Sequence, residues 1–358
     1  MYIKKIKLEN FRNYRQTEIS LNKGINIFYG NNAQGKTNLL EAIFLCSIGK
    51  SFRTKKDKEL IHFQADQAKI EIEYQKEDRC GKINVQIDEN KKVQVNGIPI
   101  RKISEMMGNV YTVLFTPDDI HILKNGPAKR RKFLDIMISQ VRPRYLKALN
   151  QYNRVLSQRN SYLKQIRSLR AEDNVLEIWD ENLANYGEKI FQYRTEFIQK
   201  IGQKIDKIHE TITNQKEKIA IEYMDNFKDR ESFLKQLKKN RDIDIRTGMT
   251  NAGIQRDDFT VWINENKINQ YGSQGQHRTA VLSLKISELE IMEEEVGERP
   301  ILLLDDFMSE LDASRRENLL KFMQNDQVII TGTEKDVYPN ETYNKKFYYV
   351  EKGKIVEK

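Results

Sequence analysis

The chain has 358 residues, 61 of them lysine or arginine and 52 aspartate or glutamate, for a formal charge of +9. That length allows one large domain or two ordinary ones. No apolar run approaches the roughly 18 residues that span a bilayer, and the opening MYIKKIKLENF carries charge where a signal peptide needs an apolar core, so the expected location is cytoplasmic, with no membrane partner. Two cysteines, Cys46 and Cys80, and four scattered histidines exclude a disulfide framework and argue against a zinc site. The positive balance favours an anionic partner without naming it.

Along the chain, Ile3 to Leu8 and Ile25 to Tyr29 have strand character, the second running into a glycine turn. Strand-like runs follow at Ile70 to Tyr74, Ile83 to Ile87, Val93 to Val95 and Tyr111 to Phe115. From about Arg130 to Ile212 the pattern turns helical. Apolar residues recur every three or four positions at Leu149, Tyr152, Leu156, Leu163 and Ile166, with Arg159 filling the gap. A second stripe runs through Leu176, Trp179, Leu183, Tyr186, Ile190, Tyr193 and Phe197. The polar stretch Arg170 to Asn174 separates them, which predicts two antiparallel helices joined by a short turn. A helix from Tyr145 to Arg170 would be about 40 Å long, a stubby arm or else an ordinary helical layer on a sheet. Strands return at Phe259 to Ile263, Ile301 to Leu304, Val328 to Thr331 and Phe347 to Val350.

GNNAQGKT fits the phosphate-loop pattern GxxxxGK[ST] without a mismatch, between a strand (INIFY) and a helix (NLLEAIFLC). Gly30, Asn31, Asn32, Ala33, Gln34, Gly35, Lys36 and Thr37 would wrap backbone N–H groups around phosphate, with Asn38 next on the helix. Lys36 would reach the β- and γ-phosphates of ATP, and Thr37 would hold Mg²⁺. Such a loop needs a distant acidic strand end, and ILLLDD supplies one. Asp305 would join the Mg²⁺ shell, and Asp306 would orient the attacking water. A kinase or small GTPase fits those two motifs equally well.

SQGQHR, Ser273 to Arg278, separates them. It precedes a helix-compatible segment just upstream of ILLLDD and resembles the signature motif of ABC-type ATPases. In that superfamily the serine and helix N-terminus cap the γ-phosphate bound to the other subunit, which makes Ser273, Gly275 and Gln276 candidates for a composite site. SELD, ending in Asp312, resembles the superfamily's D-loop. ITGT ends at Thr333 where a switch histidine is common.

KLENFRNY, KSFRT, VLFTPDDI, KRRKFLD, QRDD, YGSQGQHRT and LLLDDFMSELD occur in the order of the RecF family, over residues 1 to about 335. The chain is identified as a member of that family. The resemblance implies an α/β fold: a P-loop ABC-type ATPase head, residues 1–125 and 245–358, with an inserted helical second lobe, residues 126–244. It implies that Arg12 and Asn13 lie against the nucleotide. It also implies ATP-dependent homodimerisation, weak DNA-stimulated ATP hydrolysis, work with RecR and RecO in placing RecA on gapped DNA, and a role in the SOS response. Gln255 stands where the family has histidine, Thr116 where many ABC ATPases have a Q-loop glutamine, and Asp306 where their glutamate is usual.

One charge feature is independent of the resemblance. Lys129 to Arg170 holds four lysines and eight arginines against Asp135 alone, a net +11, while Ala171 to Asn214 holds five bases and nine acids, a net −4. Such a cluster suits sequence-independent contact with double- or single-stranded DNA, Lys129, Arg130, Arg131 and Lys132 being the first candidates. Mutual attraction of the two helices accounts for the same pattern. A transporter-type ATPase and a passive ATP-binding scaffold are the rival functions.

Overall fold

The computed structural model describes residues 1–169, 175–323, 326–334 and 344–358. They form two compact units, one of Met1–Asp119, Thr211–Gln215 and Leu282–Lys358, the other of Ile120–Glu210 and Lys216–Val281.

In the first unit, β1 (Tyr2–Phe11) and β2 (Tyr14–Ser20) make a hairpin, and β3 (Ile25–Tyr29) runs through the glycine loop into α1 (Lys36–Ile48). A meander of β4 (Ala68–Gln75), β5 (Cys80–Ile87), β6 (Lys91–Val95) and β7 (Ile98–Ile100) follows, then α2 (Ile103–Met106) and β8 (Thr112–Phe115). The second unit carries α3 (Ile120–Lys124), α4 (Pro127–Val141), α5 (Pro143–Arg167), most of α6 (Leu176–Thr213), β9 (Ile219–Met224), α7 (Arg230–Lys239), α8 (Arg241–Thr247), β10 (Asp258–Ile263), β11 (Asn266–Lys267) and α9 (Ile268–Tyr271). The chain returns to the first unit along α10 (Gln274–Val296) and adds β12 (Ile301–Asp305), α11 (Ala313–Phe322), β13 (Val328–Gly332), β14 (Lys345–Glu351) and β15 (Lys354–Glu357).

Two six-stranded sheets build the first unit. One is antiparallel, in the order β2-β1-β4-β5-β6-β7, and its β4 alternates buried and more exposed residues as a sheet with one core face should. The other has the order β15-β14-β3-β13-β12-β8, parallel except for β15. Its strands β12 and β13 are buried at every position, which the runs ILLLD and VIITG permit. Strand β13 lies between β3 and β12, with Thr331 opposite Phe28 on one side and Asp305 on the other. The phosphate loop and the acidic strand end therefore leave the same edge of the sheet, one strand apart.

The second unit rests on a three-stranded sheet, β11-β10-β9. Because β10 pairs antiparallel with β9 along its whole length, residues 245–281 cluster with this unit, whereas the sequence division placed them in the head. The helices α5 and α6 run antiparallel: Arg159 meets Asp180, and Tyr145 meets Arg194. The expected turn over residues 170–174 lies outside the described residues. Arg159, the gap in the apolar stripe, is fully buried and donates to Asp180 at 2.7 Å, Asp244 at 2.8 Å and Thr250 at 2.8 Å.

Candidate functional site

The loop from Gly30 to Thr37 adopts backbone angles that its glycines allow. Gly35 has φ +119°, and a Cβ there would sit 2.7 Å from the Asn13 amide. Gly30 has φ +146°, and a Cβ would meet the Val350 carbonyl at 2.4 Å. The loop is clamped from two sides. The β1–β2 hairpin turn supplies Asn13, whose Nδ2 donates to the Gln34 carbonyl at 2.7 Å, and Tyr14, whose hydroxyl donates to the Gly35 carbonyl at 3.0 Å. The β14–β15 turn supplies the Gly353 N–H to the Gln34 carbonyl at 3.1 Å and the Lys352 N–H to Gln34 Oε1 at 2.7 Å. Asn38 donates to Asn13 Oδ1 at 2.8 Å. Asn31, Asn32 and Ala33 stand exposed at the loop crest.

Lys36 folds over this loop, its Nζ donating to the carbonyls of Gly30 at 2.5 Å and Asn31 at 2.8 Å. Burial pushes its pKa down, against the pull of Asp306 and Asp305. Thr37 Oγ1 donates to Asp305 Oδ1 at 2.7 Å. Two oxygens in adjacent positions on an octahedral Mg²⁺ lie about 2.9 Å apart, so this hydroxyl and carboxylate fit one ion of that class. Asp305 is buried, which raises its pKa, and the hydrogen bonds from Thr37 and Thr331 oppose that shift. Asp306 follows in a left-handed conformation with φ 52°, and its N–H donates to Thr331 Oγ1 at 3.0 Å.

Thr331 was not among the sequence candidates. Its hydroxyl donates to Asp305 Oδ1 at 2.9 Å while accepting the Asp306 N–H, so it braces both aspartates. Thr333, two residues on, is exposed. Glu41 was also missed. It is fully buried in α1, and its carboxylate accepts Arg12 Nε at 2.9 Å, Arg12 Nη2 at 2.7 Å and Ser51 Oγ at 2.5 Å, with Arg53 at 3.5 Å. Arg12 Nη1 donates to the Glu59 carbonyl at 2.8 Å. The guanidinium thus ties the hairpin to the helix after the phosphate loop. A polar residue inside an otherwise apolar helix is the signal that could have marked Glu41.

In the second unit, Ser273 caps α10. Its hydroxyl accepts the Gln276 N–H at 3.2 Å, and its own N–H donates to Gln276 Oε1 at 2.9 Å, a reciprocal capping box. Ser273 is exposed, and a Cβ at Gly275 would meet nothing nearer than Ser273 Oγ at 3.9 Å, which leaves this helix end open to an anion. Gln276 Nε2 donates inward to Glu217 at 2.8 Å. Asp312 is exposed and caps α11, accepting the Arg315 N–H at 2.9 Å.

The basic segment divides by burial. Lys129 and Lys132 are exposed, but Arg130 is 6% exposed and forks onto Asp258 at 2.5 and 2.8 Å, with further bonds to the carbonyls of Ile122 and Asn125. Arg130 is therefore not a surface cation, contrary to the expectation from sequence. Its spacing to Phe133, Leu134 and Met137, all buried, puts it on the inward face of α4. Arg131 is half-buried and donates to the Asp257 carbonyl at 2.7 Å. The surface charge continues on α5, which has no acidic residue in its 25 positions and exposes Arg144, Lys147, Arg154, Lys164 and Arg167 over about 35 Å.

The strand order, the clamped phosphate loop and the acidic end of β12 define a P-loop ATPase head of the SMC type. The family model described as RecF/RecN/SMC N terminal domain matches residues 2–356. A DNA replication and repair protein RecF of Acetivibrio thermocellus is 42% identical, covering 99% of each chain, and one of Clostridium tetani is 43% identical over 100% of each. A solved structure of the recombination mediator protein RecF with ATP in the RecFOR pathway superposes with TM-score 0.93 at 39% identity, covering 99% of this chain and 97% of that one. An Smc head domain from Pyrococcus furiosus shares the fold, with TM-score 0.59 at 17% identity over 99% and 96% of the two chains. The chain belongs to the RecF family of DNA replication and repair proteins. Among the described residues no helix is long and apolar enough to cross a membrane.

Proposed function

We propose that the chain is an ATP-switched, DNA-binding protein of recombinational repair. The observation that carries this is the Thr37–Asp305 contact directly after the phosphate loop, 2.7 Å between two oxygens that a Mg²⁺–ATP complex would share. Lys36 exchanges its loop carbonyls for the β- and γ-phosphates. Asp306 orients the attacking water, and Asp305 and Thr37 hold the metal, which neutralises phosphate charge when bound. Ser273 and the open end of α10 cap the γ-phosphate of ATP held by a second copy, so hydrolysis requires a homodimer.

Duplex or single-stranded DNA lies against Lys129, Lys132 and the exposed cations of α5, which contact phosphates without reading sequence. The finer assignments extend this reading: slow, DNA-stimulated hydrolysis, recognition of gapped DNA, work with RecR and RecO in loading RecA, and participation in the SOS response. What supports them is the membership of the RecF family and the RecFOR pathway named for the similar RecF–ATP structure. Light scattering with and without ATP and DNA tests the switch. Doubling of mass with ATP, reversed on hydrolysis, is expected. A monomer under all conditions, with Ser273→Arg as active as the parent, would refute it.

A further inference from the structure

The signature serine is held by a relay that runs back into α6. Gln276 uses its carbonyl oxygen on the Ser273 N–H at 2.9 Å and its amide nitrogen on Glu217 Oε1 at 2.8 Å. The other oxygen of Glu217 lies 3.4 Å from Nε2 of His209, a fully buried residue on α6. Glu217 is itself pinned by its neighbours. The Lys218 N–H donates to Asn264 Oδ1 at 2.9 Å, and the Ile219 N–H donates to Asp206 Oδ1 at 3.0 Å. Asp206 and His209 are three residues apart on one face of α6.

An unsupported glutamine has several rotamers of similar energy, and only one places its oxygen on the Ser273 N–H. The carboxylate selects it, because an ionised acceptor makes a stronger bond than water does. The turn before α10 has a second anchor, the Ser273 carbonyl, which accepts the His277 N–H at 3.0 Å and lies 2.9 Å from His277 Nδ1, but that anchor holds the carbonyl and leaves the Ser273 N–H and hydroxyl to Gln276.

We propose that Glu217, backed by His209, is a positioning residue for the signature motif: it fixes Gln276 and through it the orientation of Ser273. The proposal rests on the assignment of Ser273 to the γ-phosphate of a second copy. Glu217 touches no nucleotide. Its loss loosens the capping surface, and dimer closure weakens while the phosphate loop of the same chain works normally.

The test uses the full-length chain with Glu217→Ala, Glu217→Gln, Gln276→Leu and the double variant Glu217→Ala/Gln276→Leu. Equilibrium ATP binding, thermal unfolding, ATP-driven dimerisation and phosphate release are measured for each, with Ser273→Arg as control. Glu217→Ala should keep ATP affinity and melting temperature near the parent and weaken dimerisation about tenfold, the worth of one charge-assisted hydrogen bond. Glu217→Gln, whose neutral amide oxygen still accepts from Gln276, should recover part of it, since a neutral acceptor makes the weaker bond. The double variant should be no worse than the poorer single one, since both break the same link. If Glu217→Ala does not fold, Glu217→Ser, too short to reach Gln276, takes its place, and parental dimerisation in that variant overturns the relay. Normal dimerisation in Glu217→Ala beside a dead Ser273→Arg overturns the relay alone, as do additive losses in the double variant. A fully active Ser273→Arg overturns the composite site and the relay with it.

Discussion

Replacing Thr331 with valine isolates the brace between the two aspartates. The strand keeps its β-branched shape, and only the hydroxyl is lost. That hydroxyl donates to Asp305 Oδ1 at 2.9 Å and accepts the Asp306 N–H at 3.0 Å, and the residue is 1% exposed. A hydrogen bond to a charged group contributes about 1.5–3 kcal/mol, and at about 1.4 kcal/mol per tenfold the loss predicts Mg²⁺-dependent turnover lower by about 10-fold to 150-fold. The pH dependence has a definite sign. Burial already raises the Asp305 pKa, and the Thr331 bond is one of the contributions holding it down. Without it the carboxyl holds its proton to higher pH. The ionised form that binds a dication is lost as pH falls through the raised pKa, so the acid limb of activity moves upward. Steady-state phosphate release across pH, with Mg²⁺ titrated at each point, reads both effects. Thr331→Ser retains the hydroxyl and should behave like the parent. Unchanged turnover and an unshifted acid limb in Thr331→Val would show that Thr331 does not support the metal site.

Lys36→Met should remove ATP binding and ATP-driven dimerisation without unfolding the chain; equilibrium binding at parental affinity contradicts the phosphate-loop assignment. Arg159→Met takes the guanidinium from Asp180 and Asp244, both at most 1% exposed, leaving Asp180 only Arg241 at 3.6 Å and Asp244 only neutral Asn251 donors, and should cost about 3–5 kcal/mol, or roughly 6–20 °C in melting temperature for a unit of this size; a shift of a degree or two in calorimetry would contradict it. Alanine at Lys129, Lys132, Arg144 and Lys147 together should leave ATP binding intact and flatten the log–log salt dependence of DNA binding by about 0.9 for each phosphate that is no longer neutralised; an identical slope moves the DNA surface elsewhere.

The phosphate loop and its aspartate were legible because each is a local device. A glycine loop must precede a helix, and a buried acidic strand end must follow an apolar run. Thr331 was not legible, because its role comes from strand order: β13 lies between β3 and β12, an arrangement that nothing in the local sequence spells out. The two long helices were readable from their three- and four-residue spacing. Segment 215–247 gave no such reading: β9 shows its place through pairing with β10, and α8 through the bond of Asp244 to Arg159 of α5. Arg130 was misplaced by counting charge without applying the helical period that its own neighbours Phe133, Leu134 and Met137 carry.

Two of the chain's three adjacent-aspartate pairs, Asp257–Asp258 and Asp305–Asp306, are of opposite character, and their partners tell them apart. Asp258 receives both forks of Arg130, while Asp257 accepts from Tyr223 at 2.6 Å and Asn226 at 2.5 Å and faces Arg194 at 3.4 Å. The arginines come from α4 and α6, so QRDD fastens two helices to β10. Gln255, at the position of the family's histidine, joins the same fastening by accepting from Tyr152 at 2.5 Å. A carboxylate matched by a guanidinium has little charge left for a metal ion. Asp305 differs. Among the described residues it makes no ion pair, and its hydrogen bonds come from two neutral hydroxyls, Thr37 and Thr331. Burial outweighs these hydrogen bonds and the more distant pull of Arg53, which leaves its ionised form under-compensated, the condition that a dication relieves. The same residue pair therefore clamps helices where arginine faces it, whereas Asp305, held by the hydroxyls of Thr37 and Thr331, keeps a carboxylate suited to a metal ion.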